Sequence, residues 1–168
     1  AFGAKGPSYY VSSAHGNDGN VGAYDTPLKT LGAAITKIGN NVGYIYIQDY
    51  NELTSTITVP SGANITFMSS DYSREGTPID DIITIRRNSG LVSGPMFSTN
   101  GGTMRFSNLV LDGNRTGAAG NTSPILSADR GTVGIMSGAT LQNNQVNAAG
   151  MGSAIQISGS ADLEMNYG

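Results

Sequence analysis

The segments Pro95-Met96-Phe97-Ser98 and Pro124-Ile125-Leu126-Ser127 stand 29 residues apart and carry the same pattern. Gly102-Thr103-Met104 and Gly131-Thr132-Val133 repeat at the same interval. Leu109 and Leu111 then return as Ala139 and Leu141, and Asn114 as Asn144, at an interval of 30. A third copy opens at Ala154-Ile155, and Leu163 and Met165 lie 30 residues beyond Val133 and Ile135. Repeats of this length are supersecondary units that bury their apolar faces only by stacking.

One strand of the repeat extends towards the N-terminus. Its inward pairs are predicted to be Ile45/Ile47, Ile65/Phe67, Ile83/Ile85, Met104/Phe106, Val133/Ile135 and Leu163/Met165. Residues two apart share one face of a strand, so each pair points into the core. Stacked strands lie about 4.8 Å apart, so six rungs make a core roughly 24 Å long. Uneven spacing between pairs fits a solenoid whose loops bulge outwards while its strands stay in register. The residues between the pairs, Tyr46, Thr66, Thr84, Arg105, Gly134 and Glu164, form a mixed outer row. It lacks the regular threonine array of an ice-binding face.

Composition agrees with a turn-rich fold. The 168 residues include 24 glycines, and Asn, Ser and Thr abound. Gly and Asn tolerate positive φ, and Ser and Thr bond nearby backbone. Apolar β-branched runs such as Ile82-Ile83-Thr84-Ile85 exclude a disordered chain. Charged residues are only 12% and the net charge is −3, which argues against nucleic acid or anionic membrane as partner. There is no cysteine, and no apolar run reaches the roughly 20 residues of a membrane span.

A single helix is predicted, over 27–38. Thr26 is its expected cap, Pro27 its first residue, and Leu28, Leu31, Ile35 and Ile38 its apolar stripe, with Gly39-Asn40 ending it. Before it come Tyr9-Tyr10-Val11-Ser12-Ser13 and Gly16-Asn17-Asp18-Gly19-Asn20, and it contains Pro27-Leu28-Lys29-Thr30-Leu31. This opening resembles the N-terminal cap of the pectin-lyase-like right-handed parallel β-helix proteins. Phe106-Ser107-Asn108-Leu109-Val110-Leu111-Asp112-Gly113-Asn114 is similar to a coil of that family. The resemblance implies an all-β, right-handed parallel β-helix of about six coils, with a helix plugging one end. Residues 1–40 are then the cap and 41–168 the coils of one domain. The family holds lyases, glycosidases, epimerases, tailspikes and adhesins, so the fold does not choose a function. Leu163-Glu164-Met165-Asn166-Tyr167-Gly168 reads as a strand in mid-stack. An open last strand predicts either a continuing chain or a partner at that edge.

Candidate chemistry is sparse. Asp80 and Asp81, with Asp71 and Glu75, make the densest acidic cluster, on an expected loop over 69–81. It can hold a cation or cradle a sugar, or be a solvated loop. Arg86, Arg87 and Arg105 are expected on one sheet, where Arg86 and Arg105 can form a small anion-binding patch. In the family's lyases a basic residue takes a proton beside a calcium-bound carboxylate. No such acidic set adjoins these arginines, so calcium has no evident ligands and no cofactor is expected. Glycosidases need two carboxylates about 5 to 9.5 Å apart. Asp112 and Asp129 are possible members, but one coil on from Asp112 stands Gln142. Asp18 reads as an Asx-turn residue or a weak calcium ligand, and the lone His15 as a surface residue. No catalytic residue is assigned.

The expected function is therefore a non-catalytic β-helix of an extracellular or cell-surface protein, an adhesin or stalk that contacts glycans or host proteins. A carbohydrate-active lyase, hydrolase or epimerase is the alternative.

Overall fold

The computed structural model describes residues 6–147, 149 and 153–166. Fourteen strands and one helix follow each other along these residues. The strands are β1 (Ser8–Val11), β2 (Val42–Ile47), β3 (Asn51–Leu53), β4 (Ile57–Val59), β5 (Asn64–Ser69), β6 (Ile83–Arg87) and β7 (Phe97–Thr99). They continue with β8 (Thr103–Ser107), β9 (Leu109–Asp112), β10 (Leu126–Asp129), β11 (Thr132–Ile135), β12 (Thr140–Gln142), β13 (Ile155–Ser158) and β14 (Asp162–Met165). The helix α1 spans Leu31–Ile38, between β1 and β2.

Three parallel sheets result, ordered β1-β2-β5-β8-β11-β14, β3-β6-β9-β12 and β4-β7-β10-β13. The chain visits them in rotation, so the protein is an all-β parallel β-helix. The long sheet has the six rungs expected from the sequence. The turns β2-β3-β4, β5-β6-β7, β8-β9-β10 and β11-β12-β13 each contribute one strand to every sheet.

The predicted repeats hold in register. Phe97 faces Leu126, which faces Ile155. Met104 and Phe106 lie opposite Val133 and Ile135, and these opposite Leu163 and Met165. Leu163 and Met165 are 44% and 51% exposed, since no described coil covers them.

One member of the predicted row is misplaced. Ile83 and Ile85 belong to the second sheet, opposite Leu109 and Leu111. The sixth rung of the long sheet is β1 instead, with Tyr9 opposite Ile45 and Val11 opposite Ile47. The β2–β5 register also differs by two residues: Ile45 faces Phe67, and Gly43 faces Ile65. All three sheets share the alternation of apolar and polar residues, so periodicity cannot distinguish one face from the next.

The interior is a continuous apolar column. Phe67 stacks on Phe106, and the ring of Phe97 meets both edge-on at 5.1 and 4.9 Å. Arg87 is the one charged side chain buried among the described residues. It is fully buried on β6, where its guanidinium donates to the carbonyls of Leu91, Gly94 and Pro124 at 2.9, 2.7 and 2.8 Å.

The helix begins later than predicted. Thr30, not Thr26, caps it, accepting from Ala33 N–H at 3.1 Å. Residues before it are held as an extended segment: Leu28 N–H donates to Tyr10 C=O and Ser12 N–H to Leu28 C=O, both at 2.9 Å. Asp18 also anchors the entry, accepting from Lys29 N–H and Thr30 N–H at 2.8 Å. The helix buries Leu31, Ala34, Ile35 and Ile38. Ile38 lies against Gly43, where a Cβ would stand 2.6 Å from the Ile38 side chain. A glycine there lets the helix pack onto the first full turn.

Candidate functional site

The outer face of the long sheet carries an aromatic strip at its helix-capped end. On β1 and β2, Tyr10, Tyr44 and Tyr46 alternate with the buried Val11, Ile45 and Ile47, so the sheet's pleat turns their rings outwards. Register puts Tyr10 opposite Tyr46. Their rings stack with centroids 5.1 Å apart and planes at 24°, and Tyr44 continues the strip 6.5 Å from Tyr46.

Two loops raise walls beside this strip. The segment between β1 and α1 brings Tyr24, whose ring meets Tyr10 edge-on at 6.4 Å. The segment between β5 and β6 folds back on itself: Tyr72 bridges antiparallel to Pro78, Ser73 N–H donates to Thr77 C=O, and Ile79 N–H to Asp71 C=O, both at 2.8 Å. It brings Tyr72 and Gly76 across from Tyr24. Tyr10, Tyr24, Tyr72 and Gly76 line a cleft of about 380 Å³.

Gln48 joins the two walls from beneath. It is 7% exposed, and its Nε2 donates to Tyr24 C=O at 2.9 Å and to Tyr72 C=O at 3.3 Å. Its Oε1 is buried and has no hydrogen-bond partner among the described residues. Burial, then Tyr46, then the charge of Asp71 hold the Tyr10 phenol above the ordinary tyrosine value. Its hydroxyl is therefore protonated, and able to donate, at neutral pH.

The cleft offers flat apolar surface and phenolic hydroxyls together. Tyrosine is suited to ligands with one apolar face and a polar rim. The cleft contains no paired carboxylates, and its own lining has no histidine or lysine.

The residues singled out from sequence lie apart from one another. Arg86 is on β6, opposite Asp112, and donates to Asn114 Oδ1 at 2.5 Å. Arg105 is on β8 in the long sheet, so the expectation of one sheet for Arg86, Arg87 and Arg105 is overturned. The cause is the misplaced Ile83/Ile85 strand, which carried Arg86 and Arg87 with it. Arg105 reaches across Gly134 to Glu164 Oε2 at 3.1 Å and also donates to Asn64 Oδ1 at 2.8 Å. A Cβ on Gly134 would stand 2.7 Å from Arg105 Cγ, so the glycine makes this path possible.

Asp80 and Asp81 are exposed on the β5–β6 loop, the same loop that supplies Tyr72. Among the described residues, no three acidic or histidine side chains converge on a point where a metal ion could sit. Asp112 is a structural carboxylate, accepting from Asn114 N–H at 2.8 Å, Asn143 at 3.0 Å and Gln142 at 3.1 Å. Burial opposes its charge, but these hydrogen bonds and Arg86 outweigh burial and hold its carboxyl below the usual range. Asp18 serves the helix entry rather than an Asx-turn. The Asx-turn at that place belongs to Asn17, which accepts from Gly19 N–H at 2.8 Å.

The tyrosine cleft was missed in the sequence. Its signal was the outward alternation of Tyr44 and Tyr46 and the pair Tyr9-Tyr10, but only pairing of β1 with β2 makes these a strip. Nor do the residues that hold the cleft, Gln48 and Tyr72, share any local pattern with it.

No family model, curated protein or solved structure matches this chain. The class is therefore defined by the fold: a parallel β-helix with a helix at one end and an aromatic cleft on its longest sheet.

Proposed function

We propose that this chain is a non-catalytic β-helix of the pectin-lyase-like kind, acting outside the cell or at its surface as a glycan-binding adhesin or display stalk. The carrying observation is the tyrosine cleft. It combines apolar rings with hydroxyl donors, floored by the sheet at Tyr10 and walled by two loops, at a place reached from solvent. Three of the other charged groups are engaged in holding the coils. Arg87 ties loop carbonyls, Arg105 crosses a rung to Glu164, and Asp112 gathers three donors. A glycan-binding module needs no acid–base pair, and this division of labour suits one. The opening motif supports the family reading, since its strand joins the first rung and its helix packs on the first turn.

The test is incubation of the purified protein with a panel of neutral and acidic polysaccharides. Retention on one or more of them, with no new reducing ends and no unsaturated products by mass spectrometry, is the expected result. Depolymerisation of any member would place the protein among the carbohydrate-active enzymes instead.

A further inference from the structure

The two walls of the tyrosine cleft carry acidic groups. Tyr24 is followed by Asp25, and Tyr72 is preceded by Asp71; all four residues are exposed. Tyr24 and Tyr72 themselves are 47% and 51% exposed. The β5–β6 loop adds Glu75, Asp80 and Asp81. Its one cation, Arg74, is paired within the loop to Glu75 at 3.3 Å. Nothing basic lines the cleft.

Resting on the glycan-binding reading above, we infer that this cleft selects uncharged saccharides, built of neutral hexose or N-acetylhexosamine units, and rejects uronates. The rings of Tyr10, Tyr24 and Tyr72 offer apolar surface for the C–H faces of a pyranose, and their hydroxyls meet its polar rim. A carboxylated sugar would bring its charge towards Asp71, whose charge already reaches the Tyr10 phenol, and like charges repel. The volume of about 380 Å³ lies near the lower end of the range of about 300–1,000 Å³ for small-molecule sites. It suits a short saccharide segment, with Tyr46 and Tyr44 extending the contact along β2.

A peptide added as an extra strand fits less well. The outer edge of β1 is already paired: Tyr10 N–H donates to Gly22 C=O at 2.8 Å, and Leu28 N–H to Tyr10 C=O at 2.9 Å. Strand addition needs a free edge.

The experiment is a titration with neutral oligosaccharides (gluco-, manno-, galacto- and N-acetylglucosamine series) and with oligogalacturonate. It is followed by calorimetry and by NMR of the tyrosine ring resonances. The protein has no tryptophan, so tyrosine reports alone. A neutral series is expected to shift the rings of Tyr10, Tyr24 and Tyr72, while oligogalacturonate leaves them unmoved. Tyr24→Ala and Tyr72→Ala, both at exposed positions, are each expected to weaken binding about tenfold. The double variant Asp25→Asn/Asp71→Asn is expected to admit oligogalacturonate. Uronate binding to the unaltered cleft would overturn this inference and leave the glycan-binding reading standing. Neutral binding that ignores Tyr24→Ala and Tyr72→Ala would overturn the assignment to this cleft. Ring shifts that depend on protein concentration without sugar would assign the face to a second copy of the chain. Binding of no saccharide in either this panel or the polysaccharide panel would remove both readings.

Discussion

The ring of Phe67 lies flat on that of Phe106, one rung away, with centroids 5.2 Å apart and planes at 11°. Both are fully buried, and Phe97 from another sheet closes the cluster. Phe106→Ala removes a buried aromatic that touches two coils. It should destabilise the protein by about 3–5 kcal/mol, whereas Phe106→Leu should cost markedly less. Denaturant unfolding of the two variants beside the parent checks this. Equal stability of parent and Phe106→Ala would refute the stacked core.

Arg87 tests a different kind of burial. Its guanidinium satisfies carbonyls of two loops, the one after β6 (Leu91, Gly94) and the one before β10 (Pro124). Burial alone lowers its pKa, and no carboxylate accompanies it among its hydrogen-bond partners. Arg87→Leu leaves those buried carbonyls unpaired, at about 1–3 kcal/mol each. The expected loss is at least about 3 kcal/mol. Arg87→Lys recovers only part of it, because a lysine cannot span the same fork of acceptors. Thermal unfolding of both variants reads the difference.

Asp112 predicts a pH dependence. Its carboxyl is held below the usual range in the folded chain, so its contribution to stability is present above the ordinary value of about 3.9. That contribution is lost as pH falls from there through the lowered native value. Asp112→Asn should therefore be less stable than the parent at pH 7, by about 1–2 kcal/mol from weakened hydrogen bonds. The gap should narrow in acid. A gap that stays constant from pH 7 to pH 2.5 would contradict this account.

Tyr10 predicts the opposite limb. Its phenol titrates above the ordinary value of about 10, so the stability linked to it is present below that value and lost as pH rises through the native one. In NMR titrations the Tyr10 ring should ionise late. Asp71→Asn should bring it down only in part, since burial is the larger cause. Complete restoration of ordinary titration by that one change would reverse the order of causes.

Gln48 links the two walls of the cleft through backbone carbonyls of Tyr24 and Tyr72. Gln48→Met keeps the volume and removes both ties, along with the unpartnered Oε1. Global stability should change by less than about 1.5 kcal/mol. The β5–β6 loop should nevertheless loosen, seen as faster amide exchange at Ser73 and Ile79, with weaker binding of any neutral saccharide. Unchanged exchange at both amides would show that Gln48 does not hold the loop.

How far the molecule was legible depends on how local each signal was. The rungs from Met104 onwards were readable because consecutive coils there differ by 29 or 30 residues and repeat whole patterns, down to Gly102-Thr103 and Gly131-Thr132. The earlier rungs were not. There the loop after β5 carries the chain around a corner, and Ile83/Ile85 alternate just as a strand of the long sheet would. The helix was readable from its stripe, but its start was not. Thr26-Pro27 is a good helix opening in isolation, and the pairing of Leu28 with Val11 overrides it.

For the site the balance is reversed. Arg86, Arg105, Asp80 and Asp81 were noticed because charge is conspicuous in a chain with so little of it, yet the fold sends them to separate places. The cleft draws on Tyr10, Tyr24, Gln48 and Tyr72, which lie far apart along the chain and share no local pattern.

The amino-acid sequence by itself determined that this chain is a parallel β-helix with a helix at its start. Alternation and coil repeats express backbone geometry, and that geometry acts between near neighbours in the stack. Only the tertiary structure decided which strand joins which sheet, and so which tyrosines face one another. Pairing across coils depends on where each loop returns the chain, and the turns that set this are held by long-range contacts such as Gln48 with Tyr24 and Tyr72.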